Sequence, residues 1–179
     1  GPLERKGNIK KTKKILDKVD LITLRDERSY KTLHEIGIEN KNVKVTADPA
    51  LDLDIADEKL GKAILKNEGV PSDKKLLGVS VRKWQNLGSD FETQIANACD
   101  YAYEKYGYYT VFLPMQSSRD TAIMQNIKRK MKHESAIIKK RYSVEGMLSI
   151  IKCFDMCIGM RLHTLIYAAI NSVPLIGLV

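Results

Sequence analysis

Residues 156–165 read Met156-Cys157-Ile158-Gly159-Met160-Arg161-Leu162-His163-Thr164-Leu165. A short apolar run stops at Gly159, and apolar residues then recur with helical spacing at Leu162, Leu165, Ile166, Ala169 and Ile170. This pattern predicts a strand that passes directly into a helix, with Arg161 and His163 at the carboxyl edge of the strand. In open α/β sheets, ligands bind at that edge.

Arg161 and His163 suit two different tasks there. The guanidinium of Arg161 is planar and permanently charged, so it can hold a carboxylate or a phosphate, whereas His163 can move a proton near neutral pH. We interpret the pair as an anion clamp beside an acid/base group. The structural alternative is an arginine that caps a carbonyl and a histidine that is satisfied in the core.

Strands and helices alternate along the whole chain. Up to residue 50, the pattern predicts helices at 9–17 and 27–36 and strands at 21–24 and 43–46. Beyond it, strands are predicted at 75–81, 109–113, 136–138, 156–159 and 174–179, and helices at 58–68, 91–105, 121–132, 144–153 and 162–170. This alternation predicts an α/β fold with right-handed βαβ units in a doubly wound parallel sheet. Ser117 and Ser118 are predicted to cap the helix that starts near Thr121.

The charge balance is strongly basic. The 179 residues carry a net charge of +8, and the basic residues crowd before Ile15 and again between Lys128 and Lys132. Solvated helix faces are the commoner reason for such runs, although they also attract nucleic acid, anionic membranes and phosphorylated substrates. Nucleic acid is disfavoured because the tyrosines cluster at 101–109 instead of interleaving with the basic residues. Without an 18-residue apolar run or a signal peptide pattern, we expect a cytoplasmic protein.

The three cysteines favour packing over metal binding or disulfides. Cys99, Cys153 and Cys157 are an odd number in apolar settings, and no Cys-x-x-Cys is present. Zinc ligation by Cys153, Cys157 and His163 is the alternative, and we predict no metal. The chain also lacks a Gly-x-Gly-x-x-Gly, a Walker loop and a His-Glu-x-x-His motif, which disfavours nicotinamide, P-loop and zincin chemistry.

Five segments, in chain order, resemble the polysaccharide pyruvyl transferase family. They are Gly1-Pro2-Leu3, the strand-like Val19–Glu27 with its Arg25-Asp26, Gly78–Arg82, Phe112–Gln116, and Gly159–His163 followed by residues 164–179. The resemblance covers essentially the whole chain and is closest to the bacterial cell-wall branch. It implies a GT-B-like fold, with residues 1–48 as the end of an N-terminal α/β domain and the crossover, and residues 49–179 as a C-terminal Rossmann-like domain. Family members are nearly twice as long, so we expect a piece of a larger protein in which the C-terminal domain is truncated and site residues follow Val179.

The same resemblance implies a reaction and a site. Members transfer a pyruvyl group from phosphoenolpyruvate to a sugar as a cyclic ketal, with no cofactor. Arg25, Arg161, Leu162 and His163 fall on positions that look like donor-binding residues, with His163 and Arg161 as the catalytic pair. Arg82 and Gln116 are candidates for acceptor binding or for shaping the cleft. For Arg25, the structural alternative is an ion pair with Asp26 or Glu27.

In the bacterial branch, the implied acceptor is a lipid-linked disaccharide with N-acetylmannosamine, made for a cell-wall polymer that anchors surface-layer proteins. A diphosphate-lipid acceptor would suit the basic surface and implies peripheral association with the inner face of the membrane. Two other functions stay open: a GT-B-type sugar-nucleotide glycosyltransferase, which would share the architecture, and a non-catalytic ligand-binding domain.

Overall fold

The computed structural model describes residues 3–54, 56–84, 88 and 90–178, and no side-chain description covers residues 117 and 118. The chain divides into two compact units, Gly1–Asp52 and Leu53–Val179. The sequence places the domain boundary four residues earlier, after residue 48. Gly1-Pro2 of the family resemblance and Val179 of the last predicted strand lie outside the described residues.

The first unit is a small α/β layer. Its helices are α1 (Lys6–Leu16) and α2 (Glu27–Glu35), its strands β1 (Ile22–Leu24) and β2 (Val43–Val45), and a short 3₁₀ turn (Pro49–Asp52) closes it. β1 and β2 pair in parallel. Ile22, Leu33 and Ile38 form its buried core. Asp26 begins α2 by accepting a 2.6 Å hydrogen bond from the amide of Ser29, which is the usual role of an aspartate at a helix N-terminus.

The second unit is built on a five-stranded sheet. Its strands are β3 (Lys75–Ser80), β4 (Tyr108–Phe112), β5 (Ser135–Ile137), β6 (Met156–Gly159) and β7 (Leu175–Gly177), in the order β5-β4-β3-β6-β7. All neighbouring pairs are parallel. Its helices are α3 (Glu58–Asn67), α4 (Phe91–Tyr106), α5 (Ser117–Lys130), α6 (Val144–Lys152) and α7 (Leu162–Ile170).

The strand order reverses between β3 and β6. From β3 the chain runs outward through β4 to β5, then returns to the other side of β3 and continues to β7. Right-handed crossovers therefore put α4 and α5 on one face and α7 on the other. This is the doubly wound parallel arrangement that the alternating pattern predicts.

The core lies around the central strand. Every residue of β3 after Lys75 is buried, because a parallel strand is covered on both faces. Leu77, Val79 and Phe112 pack there against residues of α4 and α5, including Ile95 and Met124. Cys99 and Cys157 are buried with free thiols. Burial raises the pKa of Cys99 to about 11 and that of Cys157 to about 12, so both behave as packing residues.

Two glycines of this unit allow close packing. A Cβ added to Gly78 in β3 would lie 2.1 Å from Cδ2 of Phe154. A Cβ added to Gly61 in α3 would lie 2.0 Å from the carbonyl oxygen of Ser149 in α6. Glycine at these two positions lets a ring and a helix backbone pack where any side chain would collide.

α5 begins four residues before its predicted start at Thr121, so the prediction that Ser117 and Ser118 precede the helix is wrong. The backbone of Gln116 takes the N-cap position. Its amide donates a 2.8 Å hydrogen bond to Oδ2 of Asp120, and its carbonyl accepts from the amide of Asp120 at 3.0 Å. Asp120 thus satisfies the amide of the N-cap residue itself, and Gln116 stands at the N-cap instead of a serine.

Within the described part of the chain, none of the helices combines the length and the apolar character that a membrane crossing requires.

Candidate functional site

The carboxyl ends of β3 and β6 lie side by side where the strand order reverses, with Ser80 paired to Gly159. Open α/β sheets bind ligands at such a switch point, because the loops after the two strands diverge and leave a crevice. The hydroxyl of Thr164, in the first turn of α7, donates to the hydroxyl of Ser80 at 3.1 Å, and both residues are fully buried. This bond anchors the start of α7 to the end of β3.

α7 presents its N-terminus to this edge. Arg161 is its N-cap residue, and the Arg161 side chain makes no capping hydrogen bond. The first turn contains no acidic residue. Backbone N–H groups of a first turn point along the helix axis and, with the helix dipole, favour an anion. The turn from β6 into α7 is tight, since a Cβ on Gly159 would lie 3.0 Å from Cδ2 of Leu165.

The side chain of Arg161 turns toward the start of α5. Its Nε donates to Oδ2 of Asp120 at 2.9 Å and its Nη2 donates to Oδ1 at 2.5 Å. Nη2 also lies 3.3 Å from Oε1 of Gln116. The Asp120 side chain is fully buried, and that of Arg161 is 21% exposed. The structure therefore brings Arg161 into contact with Gln116, another predicted site residue, and with Asp120, to which the sequence analysis gives no role.

His163 lies in the first turn of α7 and is exposed. Its ring meets the ring of Tyr167, one turn later, edge to face with centroids 6.2 Å apart. The histidine is therefore accessible at the crevice, and the alternative of a histidine satisfied in the core does not describe it. Leu162, the other donor-binding candidate in this turn, is also exposed.

Arg82 follows β3 at the same edge. Its guanidinium carbon lies 4.1 Å above the ring of Trp84, which is a cation–π arrangement. Nε of Arg82 is buried and has no hydrogen-bond partner among the described residues. The two roles predicted for Arg82, acceptor binding and shaping the cleft, stay predictions.

Arg25 belongs to the first unit and follows β1. Its Nη1 donates to Oδ2 of Asp48 at 3.1 Å, and its Nε lies 3.5 Å from Oδ2 of Asp26. The side chain is half exposed. The local ion pair that the sequence analysis kept as the alternative is thus present, and the donor role of Arg25 stays a prediction.

Among the described residues, no three histidine, cysteine or carboxylate side chains gather closely enough to hold a metal ion.

Comparison with known proteins decides the family. The family model described as polysaccharide pyruvyl transferase matches residues 1–179. The chain belongs to the polysaccharide pyruvyl transferase family. No curated protein sequence matches it at a significant level.

Solved structures show the fold of this pyruvyl transferase family chain. It is similar to a family 9 glycosyl transferase from Veillonella parvula, with a TM-score of 0.57 and 14% identity over 90% of this chain and 44% of that one. It is similar to S. aureus MnaA with UDP, with a TM-score of 0.62 and 15% identity over 88% of this chain and 42% of that one. It is also similar to a putative UDP-N-acetylglucosamine 2-epimerase from Listeria monocytogenes. The TM-score is 0.60, and the identity is 13% over 97% of this chain and 45% of that one. Glycosyltransferases and epimerases thus share this architecture, and the predicted GT-B-like α/β fold is confirmed. The chain spans less than half the length of these proteins.

Asp120 is the residue of this site that sequence reasoning did not find. Its signal was present, because an aspartate four residues after Gln116 can reach back to that residue's amide. Sequence reasoning favours Ser117 and Ser118 instead, because serine is a commoner N-cap residue. Its pairing with Arg161 joins positions 41 residues apart and follows only from the strand order.

Proposed function

We infer that this chain is part of an enzyme that transfers the pyruvyl group of phosphoenolpyruvate to two hydroxyls of a sugar, forming a cyclic ketal and releasing phosphate. One observation carries the proposal: in a chain of this family, the N-terminus of α7 brings Arg161 and the exposed His163 to the switch point of the sheet.

Donor recognition would use both charge and backbone. Phosphoenolpyruvate carries a carboxylate and a phosphate, and the first turn of α7, from Leu162 onward, offers N–H groups to one of them. Arg161 gives its Nε–Nη2 edge to Asp120, so its contact with the donor would come from Nη1. Arg25 is the second proposed donor ligand, and a bound dianion would compete with Asp48 for its guanidinium.

The reaction balances without a cofactor. A proton adds to the methylene carbon of the donor and makes it a methyl group, which leaves an oxocarbenium-like centre at the neighbouring carbon. One sugar hydroxyl attacks that carbon and gives up its proton, and the carbon–oxygen bond to phosphate then breaks with the electron pair leaving on phosphate. The second hydroxyl attacks the same carbon and loses its proton. Of the two hydroxyl protons released, one replaces the proton taken up by the methylene carbon and the other leaves on hydrogen phosphate.

His163 is the proposed acid/base group and Arg161 the proposed stabiliser of the departing phosphate. A positioned acid/base group typically contributes on the order of a hundred- to ten-thousand-fold in rate. A fixed positive charge near the leaving oxygen lowers the barrier because it is already oriented before the charge develops.

The proposed acceptor is a lipid-linked disaccharide with N-acetylmannosamine, which would place the whole enzyme in the cytoplasm at the membrane's inner face. The net charge of +8 supports an anionic acceptor at an anionic surface.

The test uses the full-length protein with phosphoenolpyruvate and a panel of sugar acceptors. We expect acceptor-dependent release of phosphate together with a product heavier by the pyruvyl ketal. The matched variants are His163→Gln and His133→Gln. His133 precedes β5, at the opposite edge of the sheet, where its ring stacks on Tyr103.

Three outcomes separate the candidate functions. Transfer of a sugar from a nucleotide sugar, with no consumption of phosphoenolpyruvate, would assign the chain to the glycosyltransferase alternative. Binding of phosphoenolpyruvate without turnover on any acceptor would favour the non-catalytic domain. Equal loss of turnover in the two histidine variants would remove His163 from the chemistry.

A further inference from the structure

A cavity of about 210 Å³ opens at the carboxyl edge of the sheet, next to the site already described. Its walls come from the segments that follow β4 and β5 and from the first turns of α6. Met115, Lys140, Arg141, Tyr142, Met147 and Tyr167 line it. No role follows for these residues from the proposed donor site.

The cavity adjoins the proposed catalytic residues on two sides. Tyr167 contributes to its wall and packs against the ring of His163. Met115 also lines it and directly precedes Gln116, whose side chain contacts Arg161. A molecule that fills the cavity would therefore extend toward His163.

The lining combines positive charge with an apolar and aromatic floor. Lys140 and Arg141 are exposed at its rim, while Tyr142 and Met147 are half-buried and Tyr167 is buried. Val144, in the first turn of α6, adds a partly exposed wall at a helix N-terminus. Glu145 in the same turn is the acidic residue nearest in sequence to this rim, and it is not among the lining residues.

Glu68 holds the loop that carries the two cations. Its carboxylate accepts from the amides of Lys139 at 2.8 Å and Lys140 at 3.1 Å, and from the hydroxyl of Tyr142 at 2.7 Å. Burial tends to raise the pKa of Glu68, but the hydrogen bonds from Lys139, Tyr142 and Lys140 outweigh it and lower that pKa. The carboxylate thus stays ionised and fixes the backbone beside Arg141.

We propose that this cavity is the subsite for the phosphorylated end of the acceptor, binding the diphosphate of a diphosphate-linked sugar through Lys140 and Arg141. That the bound molecule is the acceptor rests on the proposed function. The cavity volume of about 210 Å³ is below the roughly 300–1,000 Å³ of a pocket for a complete ligand. The cavity therefore fits one part of a larger molecule. Arginine and lysine bind phosphate oxygens by charge-assisted hydrogen bonds, and the tyrosine and methionine side chains suit the carbon face of a sugar. The diphosphate could belong to a lipid or to a nucleoside.

Direct binding to the full-length protein, without phosphoenolpyruvate, tests the subsite. Three probes share N-acetylglucosamine: the free sugar, the sugar joined through diphosphate to a short alkyl chain, and the sugar joined through diphosphate to uridine. We expect at least one diphosphate probe to bind ten or more times more tightly than the free sugar. Binding should weaken as salt is raised. The alkyl and uridyl arms show whether the source is a lipid or a nucleotide.

Two pairs of variants test the residues. Lys140→Gln/Arg141→Gln should weaken diphosphate binding at least tenfold, whereas Lys130→Gln/Lys132→Gln removes the same charge before β5 and should change it less than twofold. Val144→Glu should weaken binding relative to Val144→Gln, which has the same size without the charge. A glutamate is also favourable in a first helical turn, so folding is not at risk.

Glu68 acts as a positioning residue, and its test is kinetic. Glu68→Gln should raise the acceptor KM about fivefold or more and leave kcat and the KM of phosphoenolpyruvate unchanged. Glu134→Gln is the matched control. Equal changes in all three constants would mean that Glu68 serves stability alone.

The proposal is overturned if free sugar and both diphosphate probes bind equally, if none binds, or if the paired variants match their controls. Failure of the proposed function is distinguishable. Charge-dependent diphosphate binding without pyruvyl transfer would support the subsite and contradict the proposed function. Pyruvyl transfer that is unchanged in Lys140→Gln/Arg141→Gln would support the proposed function and contradict the subsite.

Discussion

The guanidinium of Arg161 and the carboxylate of Asp120 meet edge to edge, with both nitrogens of one guanidinium edge within 2.9 Å of the two carboxylate oxygens. The carboxylate is fully buried, so the pair holds the start of α5 against the start of α7. Asp120 also accepts from the amide of Gln116. Arg161 therefore contributes to stability at the same place where it is proposed to bind the donor.

We expect Arg161→Gln to destabilise the fold by about 3 kcal/mol, because it leaves a buried carboxylate without its partner. The double variant Arg161→Gln/Asp120→Asn should recover part of that loss, since neither group is then charged. Chemical denaturation of the full-length protein measures the cycle. Strict additivity of the two single changes would show that the pair carries no coupling energy.

Gly78 makes a prediction about the core. Gly78→Ala should cost about 1–3 kcal/mol, because the new methyl group meets the ring of Phe154 at 2.1 Å and the strand is central. Adding Phe154→Leu should relieve part of the cost. Gly7→Ala is the control, since a Cβ there meets nothing within 4 Å and the position is helical. If both alanines have the same effect on the free energy of unfolding, the close approach is not energetically important.

Sequence patterns predicted well where an element has both a strong period and a clear stop. β6 and α7 have their predicted bounds, since an apolar run, Gly159 and a helical repeat follow one another without ambiguity. The predicted start of α5 near Thr121 is four residues too late, because the serines and Asp120 offer competing caps. Local rules do not choose between two adequate caps.

The strand order needed the structure. Alternation predicts parallel strands, but it does not say that β6 returns to pair with β3. That return creates the switch point and brings Arg161 to Asp120. The hydrogen bonds of Glu68 with Lys139 and Tyr142 likewise join residues more than 70 positions apart in sequence, which no local pattern predicts.

Tyr142 should make stability sensitive to alkaline pH. Burial and its hydrogen bond to Glu68 raise the pKa of its hydroxyl to about 12. A pKa that is raised on folding favours the protonated form, so this stability is complete below the unfolded value of about 10 and is lost as the pH rises through about 12. In Tyr142→Phe, the free energy of unfolding should fall less steeply between those limits than in the wild type. Parallel curves for the two proteins would contradict the assignment.

His163 offers the sharpest test of mechanism, because its exposed ring at the start of α7 could either move a proton or only donate a hydrogen bond to the donor. As an acid/base group, its replacement in His163→Gln should lower kcat by about a hundred- to ten-thousand-fold and remove one limb of the pH–rate profile, while phosphoenolpyruvate binding is largely kept. As a binding group alone, the change should weaken donor affinity and leave the shape of the profile intact. The melting temperature should match that of the wild type in both cases, since the ring is exposed at the start of α7. Near-normal kcat and donor affinity in a folded His163→Gln protein would exclude both roles and would leave the anion site at α7 to Arg161 and the backbone of the first turn.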